Sequence, residues 1–216
     1  PVISGNVSFY NENPKGAIDP TPMVGMVGLI EDVDRHVTQD FKNEGDTIVL
    51  LGESKTDLSG SEYLYLVHKQ KKGNPQIDID KEKKLHETVL SAIDAGIINS
   101  AHDCSEGGLA VTLTESCVTN SDKMLGASVK LDSLEAADVR TDELLFGEAP
   151  SRIVVSVSKD NLNKLEETAK KNSVPCQALG EVGGDKLSIG IGDKVLIDAA
   201  LNSLSDTWRN AIPSRL

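Results

Sequence analysis

Four consecutive stretches decide the architecture: Arg152-Ile-Val-Val-Ser-Val-Ser158, Asp160-Asn-Leu-Asn-Lys-Leu-Glu-Glu-Thr-Ala-Lys-Lys171, Cys176-Gln-Ala-Leu-Gly-Glu-Val182 and Lys186-Leu-Ser-Ile-Gly-Ile191. The first is rich in β-branched residues and reads as a strand. The second places Leu162, Leu165 and Ala169 on one helical stripe, with Asp160 in position to cap it. The last two read as strands joined through Gly183-Gly184-Asp185. Strand, helix, strand, strand is not a strictly alternating pattern. Strands that are near neighbours in sequence favour antiparallel pairing, so the expectation is an α+β fold: a layered mixed or antiparallel sheet covered by helices.

The remaining elements fit that scheme. Met23-Val-Gly-Met-Val-Gly-Leu-Ile30 reads as a buried strand after a Pro- and Gly-rich loop over residues 12–22, and Thr47-Ile-Val-Leu-Leu51 as another, stopped by Gly52. Leu85, Val89, Ile93 and Ile97 recur every four residues and predict a helix over Lys81–Ile98. A second helix is expected from Gly107 to about Val118, and a strand over Ala127–Leu131. Leu64, Leu66 and Val67 form a short apolar element that fits helix or strand. Leu201, Leu204, Trp208 and Ile212 mark a final amphipathic helix that Pro213 ends.

At 216 residues the chain can bury a sizeable core, and with only 3% aromatic residues that core must be aliphatic. The formal charge of −12 argues against nucleic acid and anionic membranes as general partners. A small anion is still admissible, because a nest of backbone amides holds phosphate on an acidic protein. Cys104, Cys117 and Cys176 stand singly, so neither a disulfide framework nor a zinc site is supported, and a reduced cytoplasmic setting is the simplest reading. No apolar run has transmembrane length. The chain begins at Pro1, without Met and inside an apparent strand, which suggests a piece of a longer polypeptide.

Two segments are candidate ligand sites. In Ser4-Gly5-Asn6-Val7-Ser8 a glycine interrupts an extended run and admits close approach to the backbone. Asn6 and Ser8 share a face there, and their oxygens suit a hard cation or a phosphate-bearing substrate. An ordinary turn with a capping Asn is the bland alternative. In His102-Asp103-Cys104-Ser105-Glu106-Gly107-Gly108, Ser105 is placed to cap a helix whose paired glycines leave its first amides unobstructed. Such a start binds anions, or simply makes a tight turn. Four adjacent side chains cannot converge on one metal ion without distortion. Glu148 and Arg152 either orient a polar ligand or form a local ion contact. Asp57-Leu-Ser-Gly-Ser-Glu62 either touches magnesium or phosphate, or caps the next element. No Ser/His/Asp or Cys/His set and no phosphate-loop motif can be assembled.

Taken in order, Ser4-Gly-Asn-Val-Ser-Phe-Tyr-Asn-Glu12, Pro20-Thr-Pro-Met-Val-Gly-Met-Val-Gly28, Ser59-Gly-Ser-Glu-Tyr63, His102-Asp-Cys-Ser-Glu-Gly-Gly-Leu-Ala110 and Leu145-Phe-Gly-Glu148 resemble the large (synthetase) subunit of phosphoribosylformylglycinamidine synthase, over nearly the whole chain. The resemblance implies a duplicated architecture similar to aminoimidazole ribotide synthetase. Residues 1–40 would be the tail of a ferredoxin-like ATP-binding domain, and residues 41–216 the C-terminal domain after it. It implies an ATP-dependent carbon–nitrogen ligase of purine biosynthesis. The reaction turns formylglycinamide ribonucleotide into the amidine with ammonia from glutamine, and the cofactors are ATP and magnesium. By the same resemblance Gly5 approaches ATP, Asn6 gives an oxygen to magnesium, and Ser8 contacts the ribonucleotide. The family's catalytic histidine motif would lie upstream of Pro1, so no catalytic residue is assigned and the chain alone should be inactive. The implied partners are upstream domains and a glutaminase domain or subunit. The first copy carries Glu-Ser-Gln where this chain has Glu148-Ala149-Pro150, which speaks against a substrate role for that loop. The second copy resembles one used for a non-turnover nucleotide, so the 102–108 loop serves either structure or an auxiliary phosphate. An auxiliary nucleotide-binding scaffold is accordingly the alternative function.

Overall fold

The computed structural model describes residues 1–6, 10–18, 21–54, 57–134 and 139–215. The chain divides into two compact units, Pro1–Asp34 and Arg35–Leu216. In the first unit β1 (Val2–Asn6) pairs antiparallel with β4 (Met23–Met26), and a small ladder joins β2 (Glu12–Asn13) to β3 (Gly16–Ala17). β1 runs straight through Ser4-Gly5-Asn6, so this passage is strand rather than turn. A Cβ on Gly25 would lie 2.5 Å from Ser4 Oγ, a hydroxyl free to rotate away, and 3.6 Å from the Ser4 backbone oxygen, so the pairing itself does not demand glycine there. The segment expected to be a buried strand over 23–30 is shorter, and Met23, Val24 and Met26 are largely exposed. Among the described residues this unit holds only two-stranded ribbons, and a single two-stranded ribbon buries little apolar surface by itself.

The second unit is a seven-stranded mixed sheet in the order β11-β10-β7-β9-β5-β8-β6. The strands are β5 (Thr47–Gly52), β6 (Ile98–Asp103), β7 (Ala127–Lys130), β8 (Arg152–Val157), β9 (Cys176–Val182), β10 (Lys186–Ile191) and β11 (Lys194–Ala200). Among the described residues only β7 and β10 pair parallel. Helices cover both faces. Ile48 and Leu50 of β5 join one core with Leu109 and Leu113 of α3 (Gly108–Val118), Leu144 of α4 (Thr141–Phe146) and Leu201 of α6 (Leu201–Asn210). Val49 and Leu51 join a second core with Leu85 and Val89 of α2 (Ile79–Asp94) and Leu165 of α5 (Leu162–Lys171). Burial on both faces is why β5 reads as an unbroken apolar run. A seven-residue helix, α1 (Glu62–His68), settles the ambiguous 64–67 element. Among the described residues no helix is long and apolar enough to cross a membrane.

The sheet departs from sequence order in one instructive place. β9 and β10 are not partners, because β7 lies between them: Ala127 faces Val182 on one side and Leu187 on the other. Glycines make the crossing possible. Gly183 N–H donates to Gly126 O and Gly126 N–H to Gly184 O, while a Cβ on Gly126 would lie 2.4 Å from Lys186 O. The expected 81–98 helix stops at Asp94, where Gly96 (φ 63°) reverses the chain and Ile97 N–H bonds back to Ala92 O. The chain then enters the edge strand β6 at Ile98. Asp160 is not the N-cap of α5: it lies inside a short 3-10 turn, and Asn161 holds the N-cap position.

Candidate functional site

The C-terminal ends of β5 and β6 meet the start of β8 at one margin of the sheet, and the loops 103–107 and 147–151 gather there. Gly107 (φ 82°) and Gly108 (φ 64°) bend the first loop into α3. Ser105 is not the N-cap. Its hydroxyl hydrogen-bonds the Asp103 carboxylate, and its carbonyl accepts from Gly108 N–H at 2.9 Å. The N-cap is Gly107, which has no side chain to offer.

The carboxylate that serves this helix start comes from 41 positions away. Glu148 Oε1 accepts from Gly107 N–H at 2.7 Å and from Glu62 N–H, the first residue of α1, at 2.9 Å. One carboxylate oxygen thus faces the positive ends of two helices. Gly108 permits the approach, since a Cβ there would lie 2.5 Å from Gly147 O and 2.9 Å from Phe146 C. Gly147 O is gripped from the other side by Arg152 Nη2, and Arg152 Nε donates to Ala149 O at 3.2 Å. Glu148 and Arg152 therefore serve separate backbone groups rather than each other. Tyr63 stacks on Phe146 at 4.9 Å and 2°, fixing α1 over the same loop.

A cavity of about 380 Å³ opens beside this loop, lined by Glu82, His86, Ser105, Glu148, Ser151 and Arg152. Within it Glu82 holds both the Ser151 hydroxyl and, at 2.8 Å, His86 Nε2. A carboxylate between serine and imidazole is the wrong order for a triad, which needs the imidazole next to the hydroxyl. A larger cavity of about 520 Å³ lies alongside, bounded by Gly52, Ser59, Pro75, Lys81, Lys84 and Pro150. Lys81 is paired with Glu53.

His102 points away from that margin. Its Nε2 meets Glu115 Oε2 at 2.8 Å, and Trp208 Nε1–H donates to Glu115 Oε1 at 3.0 Å, joining β6, α3 and α6. Burial alone would lower the His102 pKa, but the hydrogen bond and charge of Glu115, helped by Asp103, raise it above the ordinary value. The His102 hydrogen bond correspondingly holds Glu115 below the usual carboxylate range against its burial. Burial pushes the Cys104 thiol up, Cys117 to about 12 and Cys176 to about 11, so none of them is an activated nucleophile. Among the described residues no group of three or more His, Cys, Asp or Glu side chains could hold a metal ion. The Asp57–Glu62 segment caps: Asp57 accepts from Ser59 N–H at 2.6 Å, and Ser61 Oγ from Leu64 N–H at 3.2 Å.

Of the residues expected at a nucleotide site, Gly5 and Asn6 lie at the end of β1, opposite Val24 and Met23. Asn6 is exposed. Gly5 also has a packing reason, because a Cβ there would lie 3.0 Å from Met23 O. Ser8 lies outside the described residues.

A family model described as AIR synthase related protein, C-terminal domain, matches residues 43–192. The chain belongs to this family. It is 46% identical over 213 residues to the phosphoribosylformylglycinamidine synthase subunit PurL of Thermoanaerobacter pseudethanolicus, and equally identical to that of Caldanaerobacter subterraneus; each match covers 98% of this chain and 28% of the relative. The chain thus spans little more than a quarter of the length of these relatives. Its fold matches a solved structure of Thermotoga maritima PurL complexed with FGAR, with a TM-score of 0.68 and 24% identity, over 80% of this chain and 30% of that one. The α+β class and the AIR-synthase-type C-terminal domain read from the sequence are both seen.

Proposed function

We propose that this chain is the C-terminal part of an ATP-dependent ligase that converts formylglycinamide ribonucleotide to the amidine, with ammonia drawn from glutamine by a glutaminase partner. The observation that carries the reading is the identity of nearly half over 98% of the chain to PurL subunits. In this reading residues 1–40 end a ferredoxin-like ATP-binding domain, residues 41–216 form the C-terminal domain, and the enzyme works in the cytoplasm. Three free cysteines accord with a reducing compartment.

Gly5, Asn6 and Ser8 are the residues this chain would bring to the nucleotide. Asn6 offers a single amide oxygen, whereas magnesium takes about six ligands. This chain therefore contributes one donor rather than a metal site, and no step is derived through the ion. Gly5 would let a phosphate approach the strand, and Ser8 would offer a hydroxyl to the ribonucleotide. A proton-transferring residue would come from the rest of the polypeptide.

The occupied amide of Gly107 favours a second reading for the larger unit, that of scaffold rather than reacting centre. Asn6→Ala in the complete protein separates the two. A fall in turnover of about tenfold or more, with unchanged melting temperature, supports the ligase site at β1. Unchanged kinetics at limiting magnesium would refute it and leave the scaffold.

A further inference from the structure

We infer that the Glu148 carboxylate is a built-in anion: it fills the amide site at the start of α3 in place of an external oxyanion, and through the same oxygen it fixes where α1 begins. Three independent features converge on this loop. Glu148 Oε1 lies 2.7 Å from the Gly107 nitrogen and 2.9 Å from the Glu62 nitrogen. The loop carrying it is pressed against α3 so closely that Gly108 tolerates no Cβ, 2.5 Å being left to Gly147 O. Arg152 clamps the loop from behind through the carbonyls of Gly147 and Ala149. Arg152 is 2% exposed, and its Nη1 has no hydrogen-bond partner among the described residues.

That unmet nitrogen shows what the loop covers. Arg152 and Glu148 line one cavity, and Glu148 is the residue that takes the helix-start amide of Gly107; a guanidinium nitrogen and such an amide are together a recognition set for an oxyanion. In this chain a side-chain carboxylate takes the amide, and the loop seals the arginine from solvent. The device has a second consequence. Because one oxygen serves two helix starts, α1, its Tyr63–Phe146 stack and the α3 turn are locked as a unit. Removing the carboxylate should loosen both starts together and open the oxyanion set. This role of the loop is independent of the ligase reading.

Hydrogen–deuterium exchange on the complete protein tests it, monitored in peptides that contain Glu62 and Gly107. Glu148→Ala should speed exchange at both sites by about tenfold, the factor that loss of a charge-assisted hydrogen bond confers. Added inorganic phosphate should slow exchange again at Gly107 in Glu148→Ala but leave the unsubstituted protein unchanged. Wild-type rates in Glu148→Ala would overturn the inference. So would faster exchange that phosphate does not reverse, or equal protection by phosphate with and without Glu148. If Glu148→Ala does not fold, Glu148→Gln keeps the acceptor and removes the charge. It should give intermediate exchange at both sites with the body of α3 unaffected, and rates identical to wild type would be equally fatal.

Discussion

Replacing Gly108 with alanine isolates the closeness on which the candidate site is built. Two costs add. At φ 64° an L-residue pays about 1–2 kcal/mol for the left-handed conformation. The new methyl would also lie 2.5 Å from Gly147 O and 2.9 Å from Phe146 C, both backbone atoms of the loop that Arg152 holds in place. The 146–148 loop must then retreat and give up the Glu148–Gly107 hydrogen bond, at roughly 1–3 kcal/mol. The sum is roughly 2–5 kcal/mol. Gly96→Ala is the internal control: its φ is 63°, and nothing lies within 4 Å of the added methyl. It should cost only the conformational part, about 1–2 kcal/mol. Urea denaturation of both variants, with the m-value checked for constancy, reads the difference. Equal destabilisation of the two would refute the reasoning, because it would mean that the loop does not press on α3.

Leu113→Ala removes a fully buried side chain between α3 and the sheet and should cost about 2–5 kcal/mol by chemical denaturation. The His102 pKa is raised in the fold, so its contribution is fully present below the unfolded value near about 6.5 and is lost as pH rises through the folded pKa. The stability of His102→Gln should accordingly lose that pH dependence in a denaturation series across neutral pH. Asp40, held at about 2 by Lys42, Thr38 and Asn120 against its burial, contributes stability above about pH 4 that disappears as pH falls toward 2. Asp40→Asn should flatten the acid limb. Cys104 and Cys117 should resist alkylation until the protein unfolds, as mass spectrometry of iodoacetamide-treated samples would report.

The helix stripes of α2, α3 and α5, the apolar run of β5 and the Gly-Ser-rich punctuation were legible because period and propensity are local properties. So was the family, since motif order is a property of the chain. β6 escaped because Ile97 continued the helical period past Gly96, where a positive φ ends the helix. β11 carried no stop signal of its own: it comes after a short turn at Gly192 and only then pairs with β10.

Residue spacing alone determined that this chain would build a layered aliphatic sheet covered by helices, and that Gly52 and Gly183-Gly184 would punctuate it. The tertiary structure decided that β7 slips between β9 and β10, and that Glu148 rather than Ser105 serves the α3 start. Both outcomes rest on groups brought together from distant positions, 41 residues apart for Gly107 and Glu148 and 86 for Glu62 and Glu148. Such partners compete for the same amides only after the core has packed, so no local pattern in the sequence encodes which one wins.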